Sequence, residues 1–314
     1  MRNRIMKTPF YELQVEIENS CLLNCIHCSS LATRLAGKRA FSDEALLRFL
    51  ELFSGQAHIY FTGGEPLLYK DLLCLCDTIT YSHPEFHIGL YTTGNCSGGI
   101  PISTALATSL KQAGVVDCYF SIYHFSSEQH DKWTNYRGSF NNTILSIKNV
   151  ADAGIIPKAH VVINSANCSE LNDIIKCSET IGVKEIRFLK LSKSGAAITH
   201  WDEIGLSTSF QNSIIEQLIA KANSNCVRLS FSGYPELHPC RSFKTSTGCQ
   251  AGTNLLYIDS NGDIYPCACT KRSPETFKIG NITDLPVIKQ YLNSQKNVTH
   301  YDHCLNDITY ISKQ

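Results

Sequence analysis

The chain has no run of about 18 consecutive apolar residues, so no segment reads as a membrane-spanning helix. It has no excess charge of either sign. The 28 Lys and Arg balance 28 Asp and Glu, which argues against a global electrostatic attraction to nucleic acid or to a membrane surface. Arg2, Arg4 and Lys7 make the first residues basic, but no apolar stretch follows, so this is not a secretory signal. There is no low-complexity segment and no internal repeat beyond alternating strand and helix patterns. What the chain has in excess is cysteine, 15 in 314 residues. A secreted disulfide scaffold would be small and evenly laced with Cys. Here the cysteines concentrate at residues 21–28 and 240–269, a pattern that fits metal ligation in a reducing cytoplasm.

The first two-thirds alternates strand-like and helix-like segments. Strands are expected at Glu12–Glu18, His58–Thr62, His87–Thr93, Asp117–Tyr123, Lys158–Asn164 and Glu185–Leu191. Helices are expected from Ser42 onward, then at Asp71–Tyr81, Ser103–Ala113, Phe140–Ala153, Ser169–Ile181 and Thr208–Asn223, with Gly154 and Gly182 as C-terminal stops. Consecutive β-α pairs predict a parallel sheet with right-handed crossovers, an incomplete (β/α)6 barrel resembling a TIM barrel. The strands alternate rather than being apolar throughout: Leu13, Val15 and Ile17 oppose Glu12, Gln14, Glu16 and Glu18. The apolar faces suit the helices, and the polar faces predict a wet lumen able to receive a substrate. From about residue 225 the crossover helices stop. Asn225–Ser232 is strand-like, and Leu255–Pro266 reads as a hairpin turning at Asn261-Gly262. The division expected is therefore a barrel over 1–224 and a small appended domain over 225–314.

Cys21, Cys25 and Cys28 sit on one loop directly after the first strand, spaced Cys-x3-Cys-x2-Cys. Active sites of such barrels gather at this C-terminal face. Three thiolates on one short loop need a distant fourth ligand to close a zinc site. On a four-iron cluster they leave one iron open to a small molecule. After the second strand comes Thr62-Gly63-Gly64-Glu65-Pro66, whose glycines permit close backbone approach to a ligand.

The cysteine loop with Gly63-Gly64-Glu65-Pro66 one strand later resembles the radical S-adenosylmethionine (SAM) superfamily, over roughly residues 10–195. The resemblance implies a 4Fe–4S cluster on Cys21, Cys25 and Cys28 whose open iron chelates SAM, and reductive cleavage of SAM to a 5′-deoxyadenosyl radical. It also implies SAM contacts from His27, Gly63, Gly64, Glu65 and Pro66, and from Thr92 and Thr93, where Thr93 replaces the family's usual Asn. Ser121, Arg137 and Asn164 complete that set, Arg137 as a partner of the SAM carboxylate or of Glu65. Tyr123 stands where relatives often carry Asp.

Cys249, Gly262 and Cys267 form Cys-x12-Gly-x4-Cys around the hairpin. This resembles the opening of the SPASM and twitch extensions of the same superfamily, which carry auxiliary iron–sulfur clusters. The later SPASM cysteines are missing, so the twitch arrangement with one auxiliary 4Fe–4S cluster fits better. Its expected ligands are Cys240, Cys249, Cys267 and Cys304, with Cys269 the rival for the fourth place. A zinc site is the alternative.

The resemblance further implies oxidative modification or crosslinking of a ribosomally made peptide, with Glu16, Glu18, Tyr119 or Lys158 as lumen contacts. About ten residues precede the first strand, so a leader peptide is expected to need a separate leader-binding protein or the barrel itself. Flavodoxin or ferredoxin is the expected electron donor. Alternatives are a radical dehydrogenase or rearrangement enzyme acting on a sugar, aminocyclitol or nucleotide; a peptide epimerase, with Cys96 or Cys168 returning a hydrogen atom; and a non-enzymatic metal-binding protein.

Overall fold

A computed structural model describes residues 11–30, 38–53, 55, 57–221, 226–234 and 249–295. Six parallel strands lie where the alternation predicts: β1 (Tyr11–Glu18), β2 (Ala57–Gly63), β3 (His87–Thr92), β4 (Val115–Ser121), β5 (Ile156–Ile163) and β6 (Glu185–Lys190). A further strand, β7 (Arg228–Ser232), pairs parallel to β6. The hairpin β8 (Leu255–Ile258) and β9 (Asp263–Tyr265) is followed by the two-residue β10 (Gly280–Asn281). All ten form one sheet in the order β10-β9-β8-β1-β2-β3-β4-β5-β6-β7. The hairpin therefore extends the barrel sheet: β8 runs parallel to β1, with Glu12 opposite Leu255 and Val15 opposite Ile258.

The crossovers are α1 (Asp43–Leu50), α2 (Leu72–Ser82), α3 (Thr104–Gln112), α4 (Ser127–Thr134), α5 (Ser139–Asp152), α6 (Leu171–Thr180) and α7 (Thr208–Lys221). Ser42 caps α1 by accepting from the Ala45 N–H, and Ser103 caps α3 in the same way through Leu106. Gly154 and Gly182 stop α5 and α6 with φ of +80° and +87°, the left-handed geometry that favours glycine. Leu13, Val15 and Ile17 are at most 1% exposed and pack into the main core with Leu46, Phe49 and Ile79 of α1 and α2.

The sheet curls strongly. Laid flat, β1 and β6 would stand roughly 24 Å apart, five steps of about 4.8 Å. Instead Arg187 Nη1 on β6 lies 3.6 Å from Glu12 Oε1 on β1. The inward faces of the strands thus meet across a lumen, giving the incomplete barrel expected.

At its floor the polar side chains that the alternation points inward meet one another. Tyr60 and Tyr91 stack at 4.5 Å, Tyr119 and His160 at 4.3 Å, and Lys158 pairs with Asp117 at 2.5 Å. The charged side chains facing inward have paired with one another, as buried charges must.

Candidate active site

Above this floor the barrel holds a cavity of about 380 Å³, lined from β1 through β8. The Cys21–Cys28 loop forms one side. Its backbone is tied down by α4: the Asn24 N–H donates to the Thr134 carbonyl at 3.0 Å, and the Ile26 N–H to the Trp133 carbonyl at 3.2 Å. Cys21, Cys25 and Cys28 all line the cavity, with Cys25 9% exposed. Among the described residues no three His, Cys, Asp or Glu side chains converge tightly enough to chelate a single ion. A four-iron cluster, whose ligands bind separate irons, asks instead for thiols spread around a rim.

Gly63 and Gly64 press against the chain leading into that loop. The Gly64 N–H donates to the Glu18 carbonyl at 2.6 Å, and the Glu65 N–H to the Ser20 carbonyl at 2.8 Å. A Cβ on Gly64 would overlap the Ser20 carbonyl oxygen and stand 2.5 Å from that of Asn19. Gly64→Ala should therefore displace residues 18–21, lower the unfolding free energy by about 1–3 kcal/mol and cut iron loading on the first loop. Iron analysis with anaerobic denaturation checks this; full loading with unchanged stability would refute it.

Glu65 is buried and accepts hydrogen bonds from Thr92 Oγ1 and Thr93 Oγ1, both at 2.6 Å, and from the Thr93 N–H at 2.8 Å. Burial pushes its carboxyl up and these bonds pull it back, leaving it raised overall. Glu65 thus locks the end of β3 against β2 and orients Thr92 and Thr93, which line the cavity. Pro66, buried, starts the short turn that follows. Neither Glu65 nor Pro66 faces the cavity.

His27 lines the cavity and accepts a 2.7 Å hydrogen bond at Nδ1 from Trp133 Nε1. Burial pushes its pKa down to about 4. The ring is neutral with its proton on Nε2, an assignment resting on the hydrogen-bond pattern. Ser121 also lines the cavity, and Tyr123 hydrogen-bonds both Ser121 and Cys25. Tyr123 therefore joins the cysteine loop to β4.

The structure places several of the expected residues away from the cavity or with other partners. Arg137 is exposed, outside the cavity lining, and Glu65 is occupied by threonines. Asn164 is buried with its side chain spent on local backbone, donating to the Val162 carbonyl and accepting from the Ala166 N–H. The lumen contacts suggested for a peptide are also engaged. Glu16 is fully buried, Tyr119 is 1% exposed, Lys158 is paired with Asp117, and Glu18 accepts from the Ser20 N–H. Cys96 and Cys168 lie outside the cavity lining, Cys168 donating to the Ser165 carbonyl.

The same cavity is also lined by Cys249, Cys267 and Cys269. Cys267 hydrogen-bonds Cys269, whose thiol is drawn down to about 7 by that bond and by Arg272, Ser192 and Lys271 against the opposing effect of burial. Cys240 and Cys304 lie outside the described residues. Lys271 reaches from this segment to Glu16 at 2.7 Å, Ser30 at 2.8 Å and Tyr257 at 3.1 Å. Tyr257 donates to Glu16, as does the Ser260 N–H at 3.0 Å. Nothing in the spacing of the sequence pointed to this buried network.

The Radical SAM superfamily model matches residues 15–176, more than half of the chain. The chain belongs to the radical SAM superfamily. An iron-sulfur cluster-binding domain model, SPASM, matches residues 249–307. The protein is therefore an enzyme whose family cofactors are SAM and a 4Fe–4S cluster, with auxiliary iron–sulfur binding in the C-terminal segment. It is 26% identical to the mycofactocin maturase MftC of Mycolicibacterium smegmatis over 269 residues, covering 85% of this chain and 66% of that protein. The chain thus spans just under two thirds of that curated relative. It is 23% identical to the PqqA peptide cyclase of Rhizobium meliloti, over 85% of this chain and 69% of the relative. The fold matches Streptococcus suis SuiB with a TM-score of 0.64 at 17% identity, over 94% of this chain and 67% of SuiB. It matches anSMEcpe with bound AdoMet with a TM-score of 0.65 at 18% identity, over 91% of this chain and 82% of that structure.

For this radical SAM enzyme the residues fit the cofactors. Three thiols on a rigid loop would hold the cluster, and Gly63, Gly64, Thr92, Thr93, Ser121 and neutral His27 would surround SAM. When bound, the cluster and SAM together supply a carbon radical able to take hydrogen from an unactivated position. The protein itself fixes the loop through Tyr123, Glu65 and α4.

Proposed function

We propose that the protein oxidatively modifies or crosslinks a ribosomally made peptide inside the barrel cavity. The observation that carries this reading is the convergence of six cysteines on one cavity, three from each motif. A side chain held there has both a radical source and a second iron–sulfur centre lining the same cavity, as a net oxidation requires. The peptide-acting names among the relatives, PqqA peptide cyclase and SuiB bound to its precursor peptide SuiA, support the substrate class. We take residues 225–314 as the auxiliary segment, with Cys249 and Cys267 as ligands, and Cys240, Cys269 and Cys304 competing for the rest. A low-potential flavodoxin or ferredoxin is the proposed reductant, and a separate leader-binding protein a proposed partner. Among the described residues no helix is long and apolar enough to cross a membrane. A reducing cytoplasm is the compartment proposed.

The test is anaerobic reconstitution with SAM, a reductant and the short peptides encoded beside the gene. The expected result is 5′-deoxyadenosine together with a peptide lighter by two hydrogens. A peptide of unchanged mass but inverted stereochemistry would instead identify an epimerase. SAM cleavage with no peptide product, but with oxidation of an added polyol or nucleotide, would replace the peptide reading with a small-molecule one.

A further inference from the structure

The cavity floor holds charged groups that cancel one another, and one neutral group left without a partner. Arg187 is matched by Glu12 at 3.6 Å and donates to the Tyr119 hydroxyl at 2.9 Å. Glu12 also accepts from Tyr91 at 3.0 Å and from Gln14 at 2.8 Å. An incoming carboxylate would have to displace Glu12 from Arg187, and an incoming ammonium would have to displace Arg187 from Glu12. Neither charged group finds a free counter-charge here.

His160 differs. It lines the cavity, and its Nε2 is buried with no hydrogen-bond partner. Its ring is held between Tyr119, stacked at 4.3 Å, and Tyr91, edge-on at 4.6 Å, so the nitrogen cannot swing away to find a partner. Burial, together with Arg187 and Lys158, drives its pKa well below the usual histidine value, so the ring is neutral. Among the described residues, the other cavity-lining side chain with such an orphaned atom is Gln250, through Nε2, again a neutral group. A buried polar atom without a partner is costly, and a ligand that satisfies it gains accordingly.

We infer that His160 is a specificity-determining residue that receives an uncharged hydrogen-bonding group of the substrate, an amide or a hydroxyl. A neutral imidazole serves either, accepting from an O–H or N–H or donating to a carbonyl according to its tautomer. Tyr91, which lines the cavity, provides an aromatic wall for an aromatic or amide-bearing side chain. This deepens the peptide reading by selecting the side chain at the floor: Asn, Gln, Ser, Thr or Tyr, and not Asp, Glu, Lys or Arg.

The test uses small probes on the anaerobically reconstituted, SAM-loaded protein: N-methylacetamide, p-cresol, acetate and methylammonium. Binding is measured by calorimetry, and the bound probe is located by crystal soaking. The expected result is N-methylacetamide or p-cresol hydrogen-bonded to His160 Nε2, with roughly tenfold weaker binding in His160→Phe, the effect of one lost hydrogen bond. His160→Gln, which keeps a neutral donor and acceptor, should retain binding. Tighter binding of acetate or methylammonium, SAM itself occupying Nε2, unchanged affinity in His160→Phe, or no probe at the floor would each overturn the inference. These readouts need no peptide turnover, so their failure leaves the peptide reading intact. A missing peptide product, conversely, would leave the probe result standing.

Discussion

Lys271→Met should lower the unfolding free energy by about 3–5 kcal/mol, the cost of leaving a buried charge without its partner. Glu16 is fully buried, and its counter-ion is the Lys271 ammonium, 10% exposed and 2.7 Å away. Burial pushes the Glu16 carboxyl up. The Lys271 charge, with hydrogen bonds from Lys271, Tyr257 and Ser30, outweighs it and holds the carboxyl below its ordinary range. The pair's contribution is therefore present above the unfolded carboxylate value of 4.5 and is lost as pH falls through the lower folded value. The double variant Glu16→Gln, Lys271→Met removes both charges and should recover most of the loss. Anaerobic urea denaturation of the four proteins at neutral pH measures the coupling. Equal destabilisation by the single and double variants would show that packing, not charge pairing, holds this junction. Ser30 lies two residues beyond Cys28 and Lys271 two beyond Cys269, so the single variants should also disturb iron loading on both loops.

Replacing Cys21, Cys25 and Cys28 together with Ala should reduce 5′-deoxyadenosine formation below detection while iron bound through the C-terminal cysteines persists. The physical reason is local. All three thiols come from one eight-residue loop, and none of Cys249, Cys267 or Cys269 belongs to it. The loop backbone is anchored by α4 through Thr134 and Trp133, so its path does not depend on the thiols. Iron analysis and electron paramagnetic resonance of the dithionite-reduced variant read the remaining centre. Deoxyadenosine production at the wild-type rate would remove the first loop from the chemistry. Complete loss of iron would place both sets of cysteines on a shared centre.

Much of this architecture is legible in the sequence because it rests on periodicity and punctuation. Leu13-x-Val15-x-Ile17 fixes the face of β1, Ser42 and Ser103 start helices, and Gly154 and Gly182 end them. The cysteine loop and Gly63-Gly64-Glu65-Pro66 are local motifs whose partners lie a few residues from a strand end. α4 escaped because Ser127–Thr134 is a polar stretch with little apolar periodicity; tertiary contact with the cysteine loop supplies what propensity does not. The pairing at the floor escaped because strand alternation shows which residues point inward and not what they meet. Glu12, Tyr91, Tyr119 and Arg187 come from four strands, and only the curl of the sheet makes them partners. Lys271 pairs with a residue 255 positions earlier, beyond the reach of any local pattern.

The ladder between β8 and β1 bears on how the protein can be cut. The change in sequence character near residue 225 suggests a natural seam, but β8 lies parallel to β1 from Glu12–Leu255 to Val15–Ile258. A fragment ending at residue 224 would turn an interior strand into a bare margin, its amides and carbonyls open to any neighbouring chain. Such a fragment should come out of the cell as aggregate rather than as a working half-enzyme. Continuous backbone bonding also denies the C-terminal hairpin an independent swing.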